Sequence, residues 1–466
     1  MQSPISPSST LPLTSTGPSF PACRHWSPFI ETPLAILHFI SSLLFLLVSI
    51  PFHLTSHYIV FRSRSPSVQI GRHPVAFITH RFIRWSFGEC YRESIRWIYK
   101  VQPFPSLWKN QRIERVEKGV WIRPPGTQRK EDDLVLYWIH GGAFTYNTIG
   151  STLLFYKSLC SELNQPSSSS TSPIQFSIFL LDYHLAPEHP YPSQLISLEL
   201  GYRYLTLDLG ISASNICLGG DSAGGNLVIS FLLHLARHNP LLPSPTNLEK
   251  PGSSILISPF VSLYPLSSRP SRTCPLTNTF DYLHTTTLTL SSYAYLSLPP
   301  PSLLKPSWNP FRWLGIAGPE LLEAVELEEL EGKWRDPWLN PDVEILGRED
   351  WEWFREAFPE GDELTCIIYG GMEIFKDDIS SLLNALRTVG VNPLEIYEPF
   401  KTHDWPIFDF MLPFASRVKG GGENNERDYG LRKIAGFLRG IVKGDEKVWE
   451  KGDMITQGQM EKMEKL

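Results

Sequence analysis

The sequence predicts an α/β fold, a mostly parallel sheet covered by helices, over residues 120–442. Three observations carry this expectation. Apolar runs of strand length alternate with helix-length stretches through that region, the pattern of repeated βα units. Two glycine motifs each follow such a run directly. They are His140-Gly141-Gly142-Ala143 after residues 134–139, and Gly220-Asp221-Ser222-Ala223-Gly224 after residues 216–218. Hydrophobic residues also make up 42% of the 466 residues, ample for a core. A domain of this class often exceeds the usual single-domain length.

The chain opens on residues 1–28, rich in Ser and Pro and expected to be disordered. Residues 34–50 follow, apolar on every side with one histidine and no charge. At 1.5 Å per residue such a run is just long enough to span a bilayer. Residues 29–54 are therefore read as a single-pass transmembrane anchor, rather than a cleaved signal peptide or a buried helix. Arg62, Arg64 and Arg72 follow the span, while only Arg24 closely precedes it. That bias places the catalytic part on the cytosolic side.

Residues 55–119 read as a linker and N-terminal cap helices. Within them, residues 74–101 mix Phe77, Phe82, Trp85, Ile95 and Trp97 with Arg81, Arg84, Arg92, Arg96 and Lys100. A basic aromatic segment of this kind suits a cap over a site, or a membrane surface.

The chemistry is concentrated in the glycine motifs. The second is a G-x-S-x-G elbow, a sharp strand-to-helix turn that small flanking residues permit and that exposes Ser222. The first is placed to supply backbone N–H groups to an oxyanion. Together they point to acyl transfer. Partners for Ser222 are sought downstream, in the order acid then histidine. Residues 364–369 read as a strand followed by Gly370-Gly371-Met372-Glu373, and residues 394–397 as a strand followed by a loop holding His403. Both candidates fall just after strands, where open α/β sheets place their sites.

His403 is the candidate base. Glu373, Asp377 and Asp378 compete as the carboxylate that orients it. Asp377 and Asp378 open the helix expected over 375–389, where acidic residues complement the helix dipole, so Glu373 is preferred. Asp404 adjoins His403, and a sequence neighbour generally points its side chain elsewhere. His140 is expected to shape the oxyanion loop. His184 and His189 lie in a proline-rich turn, residues 182–192, expected to brace the site.

Residues 258–363 interrupt the alternation and read as a cap insertion, including a helical stretch at 281–296 and an acidic helical run at 319–331. Residues 443–466 form a charged tail. The net charge of −6 argues against nucleic acid as a partner. No Cys/His spacing suggests zinc or another metal, no phosphate-cradling loop is present, and no cofactor is implied. The six cysteines are scattered and form no disulfide framework.

Taken together, HGGA, DYHLAPEHPYP, GDSAGGN, GGME followed by DD, and HDW resemble the hormone-sensitive-lipase group of α/β-hydrolases over roughly residues 120–440. Within it the chain is similar to fungal steryl acetyl hydrolases and to arylacetamide deacetylases. The resemblance implies an α/β-hydrolase fold with Ser222 as nucleophile, Glu373 as acid and His403 as base. It implies oxyanion donors from Gly141, Gly142 and Ala223, with His140, Ala143 and Asp221 shaping the site. Ala143 stands where many relatives carry a third glycine, and Glu373 where many carry Asp.

The implied activity is hydrolysis of short acyl esters of hydrophobic alcohols such as sterols. The implied partners are a small lipophilic ester and a membrane, and the implied location is the endoplasmic reticulum, where the resembling enzymes are often lumenal, the side opposite to the one the charge bias favours. Cleavage of an amide such as an arylacetamide or formylkynurenine is the alternative. A ligand receptor on the same fold is a further one, against which the presence of both Ser222 and His403 weighs.

Overall fold

The computed structural model describes residues 44, 112–124, 134–146, 149–165, 175–242, 247–263, 281–283, 285–298, 335–399, 401–411 and 427–443. The leader at 1–28, the anchor at 29–54 apart from Leu44, the basic aromatic segment at 74–101, the acidic run at 319–331 and the tail beyond Lys443 lie outside them. Among the described residues, no helix is long and apolar enough to cross a membrane.

Eight strands form one sheet: β1 (Arg112–Val116), β2 (Gly119–Arg123), β3 (Leu134–Ile139), β4 (Phe176–Leu181), β5 (Ile216–Asp221), β6 (Ser253–Ile257), β7 (Thr365–Gly370) and β8 (Leu394–Glu398). Their order across the sheet is β1-β2-β4-β3-β5-β6-β7-β8. β1 and β2 form an antiparallel hairpin, and β2 runs antiparallel to β4. All remaining pairs are parallel. The sheet therefore begins at Arg112 rather than at Val120, and the hairpin edges the sheet where a cap segment was expected. Glu117 and Lys118 turn it. Arg115 holds Asp182 across the edge at 2.7 Å.

The helices are α1 (Ile149–Leu163), α2 (Ser193–Arg203), α3 (Ala223–Ala236), α4 (Thr285–Tyr295), α5 (Arg348–Ala357), α6 (Lys376–Thr388), α7 (Trp405–Met411) and α8 (Tyr429–Lys443). The two-residue period of a strand divides them into two layers. On β3, Val135, Tyr137 and Ile139 join the core beneath α2, α3 and α6. Leu134, Leu136 and Trp138 join the opposite core, with Phe155 and Tyr156 of α1, Trp405 of α7 and Leu438 of α8. Both faces of β3 are buried, which is why its sequence reads as a continuous apolar run. Each buried Leu or Ile contributes about 1.5–3 kcal/mol relative to exposure. Cys217 and Cys366 sit inside β5 and β7 as buried free thiols, as their place in apolar runs predicts.

Candidate active site

Ser222 stands between β5 and α3 with φ 53° and ψ −118°, a strained conformation for a residue with a side chain. Three backbone bonds hold it there. Its N–H donates to Ile257 O at 2.9 Å, and its carbonyl accepts from Asn226 N at 3.2 Å and Phe260 N at 2.8 Å. The turn closes because Gly224 has no side chain. A Cβ there would collide with the carbonyl of Ile139. Among the described residues, Ser222 Oγ makes no hydrogen bond and stays available.

His403 and Glu373 come from the loops after β8 and β7. These loops are sewn together: Gly371 N–H donates to Glu398 O at 2.8 Å and Met372 N–H to Lys401 O at 2.9 Å. That stitching carries both side chains to the C-terminal edge of the sheet, the edge at which Ser222 follows β5. Glu373 is fully buried. Its Oε2 accepts from Ser258 Oγ at 2.7 Å and Gly370 N at 3.0 Å, while Oε1 has no partner among the described residues. His403 is also buried, and its Nδ1 has no partner among the described residues. The pocket thus holds an acceptor without a donor and a ring nitrogen without a partner. Phe375 packs edge-on to the imidazole at 4.9 Å, and Tyr282 lies 5.8 Å away. Asp377 and Asp378 occupy the first turn of α6.

Asp404 departs from the sequence expectation. Its φ of 50° folds the side chain back, and Oδ2 lies 3.2 Å from His403 Nε2. Burial pulls the His403 imidazole down, but the Asp404 charge and hydrogen bond, with Glu373 and Asp281 behind them, outweigh it and raise it to about 9. Burial pushes the Glu373 carboxyl up to about 8, against the opposing charge of His403 and the bonds from Gly370 and Ser258. Burial and the nearby Asp404 carry Asp221 to about 7.

Asp221 organises the glycine loop. It accepts Trp138 Nε1 at 2.8 Å, Gly141 N at 2.9 Å and Tyr156 Oη at 3.4 Å. The expectation that Gly141 offers an oxyanion donor is thereby corrected, because its N–H is committed to the Asp221 carboxylate. Gly142 (φ 109°), Ala143 (φ 49°) and Phe144 (φ 62°) follow in left-handed conformations. Such a run curls successive N–H groups into an anion-binding concavity. Among the described residues the N–H groups of Gly142 and Ala143 make no hydrogen bond. Ala223 opens α3, where its N–H has no intrahelical acceptor. Those three are the available donors.

His140 does shape this loop, as expected. Its Nδ1 lies 2.8 Å from Gly141 O, and its ring stacks on Tyr183 at 4.3 Å. Tyr183 Oη donates to His140 O at 2.8 Å, so the bracing of the proline-rich turn comes from its tyrosine. His184 and His189 are exposed and contact each other at 4.5 Å. Among the described residues no cluster of His, Cys, Asp or Glu could hold a metal.

Sequence reasoning missed two residues, Ser258 and Asp281, and set a third, Asp404, aside. Ser258 bridges Glu373 and the Asp404 N–H. Asp281 accepts from Ile374 N at 2.7 Å and so fixes the residue after Glu373. Asp404 contacts the imidazole. For Ser258 a signal existed, a polar residue at the C-terminal end of a buried parallel strand.

Comparison with known proteins agrees with this geometry. A family model described as alpha/beta hydrolase fold matches residues 136–322. Mouse hormone-sensitive lipase is 34% identical over 157 residues, 31% of this chain and 19% of that protein. An esterase of Acinetobacter venetianus is 32% identical over 129 residues, covering 28% and 36%. A Schizosaccharomyces pombe protein whose name suggests a steryl acetyl hydrolase is 30% identical over 150 residues, covering 31% and 35%. The matched regions thus span only 19% to 36% of these relatives' length. A crystal structure of a bacterial hormone-sensitive-lipase-family esterase aligns with TM-score 0.52 at 19% identity, over 80% of this chain and 99% of its own. A hormone-sensitive lipase from a metagenome library aligns with TM-score 0.53 at 18% identity, over 79% and 98%. Structural likeness at that identity establishes the fold. Residues 136–322 are an α/β-hydrolase domain, and over part of it the chain is similar to hormone-sensitive lipases and related esterases.

Proposed function

We propose that the protein is a serine esterase that cleaves short acyl esters of hydrophobic alcohols through an acyl-enzyme on Ser222. The observation that carries the reading is a strained elbow whose Ser222 Oγ makes no hydrogen bond among the described residues, at the same edge of the sheet as buried His403 and Glu373, whose Nδ1 and Oε1 have no partner among those residues. A turn of the imidazole that presents Nδ1–H to Glu373 Oε1 satisfies both atoms and frees Nε2 from Asp404.

Ser222 Oγ then attacks the ester carbonyl as its proton passes to His403 Nε2. The oxyanion is received by the N–H groups of Gly142, Ala143 and Ala223. Glu373 stabilises the imidazolium. Collapse breaks the ester C–O bond, and the alcohol leaves with the proton from Nε2. Water, deprotonated by the same nitrogen, releases the acid and restores Ser222.

A lipophilic alcohol, with sterols as the leading class, is supported by the aromatic surroundings and by the fission-yeast relative's name. The apolar run at 34–50 supports a single-pass anchor, and the resembling enzymes support the endoplasmic reticulum. Deleting residues 1–54 is expected to release the protein from membranes. Persistent sedimentation with membranes after a salt wash would refute that anchor.

The enzymatic reading is tested by labelling with a fluorophosphonate and by turnover of a sterol acetate, a chromogenic acetate ester and an arylacetamide. Ser222→Ala and His403→Ala should each lose about 10³-fold or more, without adding in the double variant. If Ser222→Ala retains full turnover, or wild type neither labels nor cleaves any of the three, the proposal fails. Amide cleavage without ester cleavage would select the amidase alternative.

A further inference from the structure

We propose that Ser258 is a positioning residue for the triad, its hydroxyl acting as the shared pin that fixes the acid and the histidine loop to each other. The inference rests on the reading of Ser222, His403 and Glu373 given above.

Ser258 follows β6 directly, at the same edge of the sheet as Ser222. It is fully buried. Its Oγ donates to Glu373 Oε2 at 2.7 Å and accepts from Asp404 N at 3.0 Å. One atom therefore touches the carboxylate of one loop and the backbone of the other. Its N–H donates to Ile368 O at 2.7 Å, which anchors the pin to β7. The backbone is held at φ 42°, where a serine is uncommon and a glycine is comfortable. A strained non-glycine residue with a doubly used hydroxyl in a buried pocket points to a role for that hydroxyl.

The consequence for the acid is geometric. With Oε2 taken by Ser258 and Gly370, Oε1 is the oxygen left without a partner among the described residues, in a carboxyl that feels the charge of His403. The hydroxyl also favours the ionised carboxylate. The titratable groups that act on Glu373 are His403 after β8 and Asp281 ahead of α4; Tyr282 feels Glu373 together with Asp404, Asp281 and Asp221. The neutral donors bonded to Glu373 are the Ser258 hydroxyl and the Gly370 N–H, and of the two only the hydroxyl can be removed by substitution. Without it, Glu373 gains a proton more readily, and the acid limb of the kcat/KM profile should move to higher pH.

Three variants of the full-length protein separate hydroxyl from backbone. Ser258→Gly removes the hydroxyl and relieves the φ strain. Ser258→Ala removes the hydroxyl and keeps the strain. Ser258→Thr keeps the hydroxyl but adds a β-branch at an unfavourable φ. With a chromogenic acetate ester, Gly and Ala should lower kcat by roughly 10²-fold, the cost of a misplaced catalytic group. KM should change little, and the acid limb should shift upward. Thr should recover the wild-type limb despite a lower Tm. A Ser258→Gly enzyme with kcat and acid limb within about twofold of wild type overturns the proposal. So does a folded Thr variant that fails like Ala. Ser222→Ala distinguishes the levels: if it stays active, the triad reading itself is wrong. If it is dead while Ser258→Gly is normal, only the role of Ser258 falls.

Discussion

Gly141→Ala isolates the contact that sets the oxyanion loop. A Cβ on Gly141 would penetrate Asp221 Oδ2 and lie only 2.9 Å from both Asp221 O and Ser222 Cβ. The carboxylate could swing aside, but Asp221 O belongs to β5 and Ser222 Cβ to the elbow, so the loop itself must move. That movement breaks the bond from Gly141 N to Asp221 Oδ2. A hydrogen bond to a buried charged acceptor contributes about 1.5–3 kcal/mol. For a domain of this size each kcal/mol shifts Tm by about 2–4 °C, so a fall of roughly 3–12 °C is expected. The N–H groups of Gly142 and Ala143 move with the loop, and a displacement near 1 Å costs on the order of 10²-fold in rate. The comparison is Gly210→Ala. Gly210, unlike Gly141, has a positive φ, 61°, and no heavy atom lies within 4 Å of its Cβ position. Backbone strain there costs about 1–2 kcal/mol and leaves turnover intact. Differential scanning fluorimetry and initial rates on an acetate ester give both readouts. Wild-type kcat in Gly141→Ala, or equal loss of kcat in Gly210→Ala, would refute the reasoning.

Two further outcomes concern protons. Asp404→Asn removes the charge that raises His403 against its burial, so the acid limb of kcat/KM should move to lower pH. An unmoved limb would mean that Asp404 does not govern the imidazole in solution. Stability should also decline from pH 6 to pH 9. Asp221 and Glu373 are raised to about 7 and about 8 by burial. The folded chain therefore keeps protons that the unfolded chain releases near pH 4, and loses stability as pH rises through that window. His403, raised to about 9, contributes stability that is full below 6.5 and lost as pH rises through 9. Both act in the same direction, and a Tm that is flat or rising over this range contradicts it.

The parts legible in sequence were those with local signatures. β3 and β5 are buried on both faces, so they read as apolar runs, and the glycines after them report backbone demands that no other residue meets. Ser222, His403 and Glu373 could be placed because each follows a strand end. The unread parts depend on contacts between residues far apart in sequence. Gly141 looked like a donor until its partner Asp221, eighty positions away, was in view. Ser258 and Glu373 are 115 positions apart, and a serine after a strand carries no local mark of its partner. The hairpin β1–β2 was hidden by Arg112, Glu114, Arg115 and Arg123, charges that are tolerable because this edge is only partly covered. Asp404 was misjudged because the usual rule for neighbouring side chains assumes ordinary φ, and its φ is 50°.

The buried carboxylates Asp221 and Glu373 have different partners, and burial raises both. A single low-dielectric pocket holding Asp221, Glu373 and Asp404 cannot keep all three ionised without large cost. Asp221 spends its oxygens on Trp138, Gly141 and Tyr156, all donors of the scaffold, and so its protonation governs loop geometry. Glu373 spends one oxygen on Ser258 and Gly370 and keeps the other free, so its protonation governs the imidazole. Asp404 lies against the imidazole through its Nε2, the nitrogen that the proposed mechanism assigns to Ser222. A proton on Asp404 would weaken that competing contact while Glu373 keeps its charge. Ionisation of Asp404 would strengthen the contact and hold His403 as an imidazolium unable to accept from Ser222. The competition between Asp404 and Ser222 for one nitrogen is therefore where the electrostatics of this pocket and its chemistry meet.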